Sequence, residues 1–131
     1  MGLNEMVADA RGRVEEISPE DVRGALDGGE DLLVLDVREP HEFAQGHLPG
    51  AVKVPRGMLE LRADADSPLA DPDVAWNRDA RVVTYCLKAP GARSLFAADT
   101  LTKMGFTNVA AMAAGVNGWT EAGLPLEKLA G

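Results

Sequence analysis

The chain has 131 residues, close to the size of one average domain, and 46% of them are hydrophobic. Lys and Arg number 13 against 21 Asp and Glu, which gives a formal net charge of −8 at pH 7. This charge repels nucleic-acid phosphates and anionic lipids, so neither nucleic acid nor a membrane is expected as a partner. The single cysteine, Cys86, excludes an internal disulfide, and with two histidines it supplies too few ligands for a structural zinc site.

The N-terminal segment 1–13 is predicted to be a short helix or an arm, and residues 14–131 are predicted to form one α/β domain. Leu3, Met6 and Val7 follow helical spacing. The segment lacks the basic region and apolar stretch of a secretory signal, and no apolar run approaches the roughly 20 residues of a membrane span. We therefore expect a protein of the reducing cytoplasm.

The first half of the chain alternates predicted strands and helices. Ser-Pro-Glu-Asp at 18–21 has the N-cap, proline and acidic residues typical of a helix start. An almost unbroken apolar run at 32–37 is typical of a strand covered on both faces of a parallel sheet. The predicted elements are a strand at 14–17, a helix from 19 to about 26, a strand at 32–37, a helix from 40 to about 46, a strand at 51–54 and a polar surface loop at 64–79.

The second half predicts a β-α-β unit around the cysteine. It consists of a strand at 81–85, a loop from Cys86 to residue 92, a helix at about 93–104 and a strand at 108–112. Together with the earlier strands, this unit predicts an α/β fold with a mostly parallel five-stranded sheet flanked by helices on both faces. Cys86 and Asp36 each lie at the carboxyl end of a strand, the edge where ligands bind in such folds.

The surroundings of Cys86 suit a nucleophile. A free thiol is mostly protonated at pH 7, and nearby positive charge or backbone amides convert it to the reactive thiolate. Here the following loop and helix N-terminus can direct amides at the sulfur, Gly91 permits a tight turn, and Lys88 and Arg93 add positive charge. A lone cysteine is more often a buried apolar residue. Its place between a strand and a cationic loop favours a thiol that attacks an anion.

Several motifs, in order, resemble the single-domain rhodanese pattern. They are LVLDVREP at 33–40, GHLPGA at 46–51, Tyr85-Cys86 followed by GARS at 91–94, and MGFTNV at 104–109 with Gly115 and Trp119. The resemblance runs from about residue 18 to residue 125 and implies a rhodanese-like fold.

The resemblance also implies sulfur transfer without a cofactor or metal. Family members take sulfane sulfur from thiosulfate or another anionic or persulfide donor onto the active cysteine, which matches Cys86, and pass it to a thiol, cyanide or a sulfur-carrier protein. This is covalent catalysis, which divides one difficult transfer into two displacements. The donor-binding positions that match are Leu87, Lys88, Ala89, Gly91, Ala92 and Arg93.

The active-site loop departs from the family pattern. Single-domain rhodaneses usually have four residues between the cysteine and the arginine, whereas Cys86 and Arg93 are separated by six. Pro90 also has no amide hydrogen to offer an anion. The related Cdc25-type phosphatases and arsenate reductases have five residues between the cysteine and the arginine, so a cysteine phosphatase or an arsenate reductase is one alternative. A low-turnover sulfur-carrier or partner-binding module is another. A phosphatase would need a general acid, for which the candidates are Asp64, Asp66, Asp71 and Asp73.

Supporting roles are predicted for residues around the loop. Asp36 and Arg38 are expected to form an ion pair or hydrogen-bond network, and Ser94 to support the loop from the start of the helix. Arg56 resembles a family position near the pocket mouth. Trp76 is predicted to be either an exposed partner contact or a lid over the pocket.

Overall fold

The computed structural model describes residues 1–128 and forms three layers, with helices on both sides of one sheet. The last three residues of the predicted 14–131 domain lie outside the described residues. The elements in chain order are α1 Leu3–Arg11, β1 Glu15–Ile17, α2 Pro19–Asp27, β2 Leu32–Asp36, α3 Pro40–Gln45, β3 Val52–Lys53, a 3-10 turn Arg56–Met58, α4 Leu59–Ala63, α5 Pro72–Ala75, β4 Arg81–Tyr85, α6 Ala92–Lys103, β5 Val109–Met112 and α7 Gly115–Glu121.

The five strands run in the order β1-β5-β4-β2-β3, and every neighbouring pair is parallel. Because the strands are parallel, their carboxyl ends meet at one edge of the sheet. Asp36 at the end of β2 is in register with Tyr85 at the end of β4, so Cys86 follows directly beside it. The predicted α/β fold with its five-stranded sheet is confirmed, and the sheet is parallel throughout.

Side chains of the central strands β2 and β4 alternate between two separate cores. Leu35 and Val82 pack with residues of α4 and α6 on one face, whereas Val34 and Val83 pack with α2 and α7 on the other. This double coverage explains the continuous apolar runs of the central strands. A third cluster joins α1 to α6 and β5.

The helix starts follow the local signals in the sequence. The Ser18 hydroxyl accepts a hydrogen bond from the Asp21 amide at 3.0 Å, with Pro19 as the first helical residue of α2.

The predicted polar loop at 64–79 differs from the structure, which has the short helix α5 inside it. Val74 and Ala75 of α5 are buried, because they complete the apolar face beside α4.

The described chain shows no helix with the length and apolar character needed to span a bilayer.

Candidate active site

Cys86 lies in a pocket formed by its own loop. β4 ends at Tyr85, Cys86 follows at once, and α6 begins at Ala92. The pocket has a volume of about 200 Å³ and is lined by residues 86–93. The predicted loop positions are therefore together around one cavity, which stands at the carboxyl end of a central strand.

The cysteine is enclosed at the start of α6. Its residue is 3% exposed, and its Sγ lies 3.5 Å from the hydroxyl of Ser94, which donates to the carbonyl oxygen of Gly91 at 3.0 Å. Gly91 has a φ of +77°, in the left-handed region that favours glycine, and this conformation turns the loop into α6. The leading amides of a helix have no acceptor within the helix. The first turn of α6 therefore offers donors and the positive end of the helix dipole beside the sulfur.

The two cationic side chains of the loop are in different states. Arg93 donates to both carboxylate oxygens of Glu42 in α3, at 2.8 and 3.3 Å. The hydrogen bonds with Arg93 hold the pKa of Glu42 below its usual value, and those with Glu42 raise the pKa of Arg93. Lys88 is exposed at the rim, and no carboxylate of residues 1–128 pairs with it. Lys88 is thus available to an incoming anion, whereas Arg93 is already paired with the carboxylate of Glu42.

A buried polar network connects residues at the carboxyl ends of β2 and β4. Arg38 is 4% exposed and donates to the carboxylate of Asp36 at 2.7 Å and to the Gly46 carbonyl at 2.7 Å. The Tyr85 hydroxyl donates to Asp36 at 2.6 Å and accepts from the Leu48 amide. Burial and the Asp36 carboxylate raise the pKa of Tyr85 well above its usual value. The Asp36–Arg38 pair thereby joins the ends of β2 and β4 to the 46–48 turn.

Backbone contacts from α7 also hold the cysteine. The amides of Val116 and Asn117 donate to the carbonyl oxygens of Cys86 and Leu87, at 3.0 and 2.9 Å. Gly115 makes this approach possible, because its φ is +55° and a Cβ there would lie 2.6 Å from the Cys86 carbonyl oxygen. In the sequence Gly115 stands out only as part of a motif, which assigns it no role. The two glycines in AAGVNG at 113–118 were the available signal.

The remaining candidates lie outside the lining of the pocket. Arg56 donates to Glu60 at 3.0 Å and to the Thr100 hydroxyl at 3.1 Å, so its role at the pocket mouth stays a prediction. Trp76 is 69% exposed in the 64–79 segment. The residues that line the pocket include no acidic residue and none from that segment. The candidate general acids therefore lie outside the pocket lining: Asp64, Asp66, Asp71 and Asp73.

The parallel α/β layer fold places an enclosed cysteine between a strand and a helix, at the sheet edge where ligands bind in folds of this class. Residues 18–122 match the family of the rhodanese-like domain, and the chain belongs to that family. The chain is 34% identical over 113 residues to a sulfurtransferase of Allochromatium vinosum, and the aligned region covers 86% of this chain and 94% of that protein.

Two solved structures have the same fold over nearly the whole chain. A Rhodopseudomonas palustris protein of unknown function, described as a possible tyrosine phosphatase, is 34% identical with a TM-score of 0.88, over 97% of this chain and 95% of that one. A thiosulfate sulfurtransferase of Pseudomonas aeruginosa is 28% identical with a TM-score of 0.79, over 96% of this chain and 22% of that one. The family supports sulfur transfer as the general activity.

Proposed function

We propose that this protein is a sulfurtransferase in which Cys86 carries the sulfur as a persulfide. The donor is thiosulfate or another anionic or persulfide compound, and the acceptor is a thiol, cyanide or a sulfur-carrier protein. The observation that carries the proposal is the position of Cys86, which lines a pocket formed by its own loop and lies beside the first turn of α6.

The reaction consists of two displacements at sulfur. The Cys86 thiolate attacks the outer sulfur of thiosulfate, the new S–S bond forms, and the bond to the sulfonate sulfur breaks with its electron pair, releasing sulfite. The acceptor thiolate or cyanide then attacks the outer sulfur of the persulfide. Cys86 leaves as a thiolate, so the enzyme returns to its starting state without an oxidant, a cofactor or a metal.

The chain's own groups supply the electrostatics of both steps. The leading amides of α6 stabilise negative charge on the thiolate and on the outer sulfur. Lys88 draws an anionic donor to the rim of the pocket in a protein whose overall charge repels anions. A reducing cytoplasm suits this mechanism, because the thiol must be free before each turnover.

Arg93 and its partner favour sulfur transfer over phosphoryl chemistry. A phosphatase or an arsenate reductase needs its arginine free to bind a tetrahedral oxyanion bidentately. Here Glu42 occupies both donors of Arg93 that face α3, and a phosphate or arsenate would have to displace the Glu42 carboxylate. Each of the two steps of sulfur transfer is a displacement at an exposed outer sulfur, which the loop amides and Lys88 can assist.

The decisive experiment is the intact mass of reduced protein before and after thiosulfate, with Cys86→Ser measured alongside. We expect wild type to gain one sulfur atom, dithiothreitol to remove it, and Cys86→Ser to fold normally and gain nothing. Sulfur loading in Cys86→Ser would refute the mechanism. Loading from a protein persulfide but not from thiosulfate would favour the carrier module, and hydrolysis of a phosphate ester by the unloaded protein would favour a phosphatase.

A further inference from the structure

We infer that the N-terminal helix α1 supports the active site from outside the pocket and that Arg11 is a positioning residue for the loop that holds Cys86. Arg11 is the last residue of α1 and lies outside residues 18–122, the part that matches the family. Its Nη2 donates to the carbonyl oxygen of Pro90 at 2.9 Å, across 79 residues of sequence. The inference rests on the proposed sulfur transfer and adds a residue to it.

The guanidinium of Arg11 is held at both sides. While Nη2 binds Pro90, Nε donates to Glu16 of β1 at 2.9 Å. The planar guanidinium makes both bonds from one fixed orientation, which an ammonium group does not impose. Arg11 thus connects the edge strand of the sheet to the middle of the active-site loop.

The helix that carries Arg11 is itself anchored. Val7 and Ala10 are buried in the apolar cluster that α1 shares with α6. Arg13, just beyond the helix, donates to both oxygens of Asp99 in α6 at 3.0 and 2.9 Å. Since α6 is also the helix that begins at the loop, α1, α6 and the loop are held in one arrangement.

The loop segment that Arg11 contacts is its most exposed part. Lys88, Ala89 and Pro90 are all exposed, and all three line the pocket. A backbone bond from the Gly91 amide to the Lys88 carbonyl, 2.9 Å, closes the turn, and Pro90 has no amide of its own to add another. Arg11 therefore provides a tie from a rigid element to a wall of the pocket that has little other support.

The contact also determines where a carbonyl dipole points. Arg11 is not among the residues that line the pocket, so its bond keeps the Pro90 oxygen on a partner outside the cavity. A carbonyl oxygen turned toward the sulfur would repel the thiolate and an anionic donor. Loss of the guanidinium would let the 88–90 segment sample such conformations, and donor binding would have to reorder it.

The test compares Arg11→Gln with wild type in sulfur transfer from thiosulfate to cyanide. We expect the KM for thiosulfate to rise about fivefold, with kcat changed less than twofold. A fivefold change corresponds to the net contribution of one solvent-exposed hydrogen bond. Arg23→Gln is the matched control, because it removes the same charge and an exposed ion pair, with Asp27, on α2. Glu16→Gln removes the ion pair but leaves the bond to Pro90, so it should retain the wild-type KM.

A second measurement does not depend on sulfur transfer. The rate of Cys86 alkylation by iodoacetamide, followed up to its high-pH plateau, reports how open the loop is. We expect the plateau rate of Arg11→Gln to exceed that of wild type about threefold, with Arg23→Gln unchanged and Arg11→Lys between them.

Equal KM and equal plateau rates in Arg11→Gln and Arg23→Gln would overturn the role of Arg11. An equal rise of KM in Glu16→Gln would also overturn it, since the ion pair rather than the loop contact would then be responsible. Absence of sulfur transfer in wild type would refute the proposed function, while the alkylation rates would still decide whether Arg11 holds the loop. If Arg11→Gln does not fold, the alkylation rate of Arg11→Lys provides the same comparison.

Discussion

Glu42 performs two tasks at the residue scale. Its carboxylate accepts from the Glu39 amide at 3.1 Å at the start of α3, and it binds the guanidinium of Arg93. The side chain of Glu42 is 19% exposed and that of Arg93 is 37% exposed. The pair is therefore partly screened by solvent, so it contributes about 1 kcal/mol to the free energy of unfolding, less than breaking a buried ion pair costs.

Removing this carboxylate is expected to strengthen the binding of anionic donors. In Glu42→Gln the amide oxygen can still accept from Glu39, while Arg93 loses its anionic partner and becomes available to the donor. We predict that the KM for thiosulfate falls about fivefold, corresponding to that 1 kcal/mol, and that it becomes more sensitive to salt. Steady-state kinetics at two ionic strengths measures both.

Asp27→Asn is the control for this variant. It breaks the ion pair of Arg23 and Asp27 on α2, outside the pocket lining, and removes the same charge. An unchanged KM is expected there. A higher KM in Glu42→Gln would show that Glu42 orients Arg93 for the donor instead of competing with it.

At the scale of elements, the site depends on how closely α7 approaches the end of β4. The helix donates two amides to the carbonyls of Cys86 and Leu87, and Gly115 at its first position leaves no room for a side chain. Rigid backbone surrounds the missing Cβ, and relaxation would have to displace the cysteine itself.

Gly115→Ala is therefore expected to destabilise the fold and to impair sulfur loading together. We predict a loss of about 2–4 kcal/mol in the free energy of unfolding, from the left-handed backbone and the backbone clash combined. Urea unfolding measures the loss, and intact mass after thiosulfate measures the loading.

Gly123→Ala separates the two causes. Gly123 has a φ of +78° but no atom within 4 Å of a Cβ placed there. This variant has the backbone strain alone, so it should lose about 1 kcal/mol and load sulfur normally. Equal destabilisation by the two substitutions would show that the contact between Gly115 and Cys86 has no energetic importance.

On the scale of the whole molecule, arginine–carboxylate pairs connect separate elements. Arg81 joins β4 to Glu15 of β1, Arg93 joins α6 to Glu42 of α3, and Arg13, just after α1, pairs with Asp99 of α6. Hydrogen bonds from the arginines hold the pKa values of Glu15, Glu42 and Asp99 below their usual range.

These lowered pKa values determine how stability depends on acid. The unfolded chain binds protons at a higher pH than the folded one, so the stabilisation is complete above the ordinary carboxyl pKa and is lost as pH falls through the folded values. We predict a free energy of unfolding that is nearly constant from pH 7 to about 5 and declines between about 5 and 3. Urea unfolding across this range measures it.

Asp99→Asn tests the origin of the decline. It should lower stability at pH 7 and reduce the slope at acidic pH, because Asp99 is 13% exposed and bonded to both Arg13 and Lys103. Asp27→Asn breaks a surface pair on α2 and should change neither by a measurable amount. An acid slope that is the same in wild type and in Asp99→Asn would contradict this origin.

The sequence by itself determined the order of the elements, the class of fold and the position of the candidate nucleophile. These depend on local information: apolar runs for strands covered on both faces, Ser18-Pro19 for a helix start, and Gly91 for the turn into α6. The ends of short elements were less well predicted. The strand expected at 51–54 is only Val52–Lys53, because the edge of the sheet pairs there over just two residues.

Only the tertiary structure decided which groups act on the loop. Arg93 and Glu42 are 51 residues apart, Arg11 and Pro90 are 79 apart, and Gly115 meets Cys86 from another helix. Each contact depends on the way that helices dock on the sheet, a property of the whole packed core that no local spacing encodes. The sequence predicts a cationic loop around Cys86, and the packing leaves Lys88 available, occupies Arg93 and brings α1 to the pocket wall.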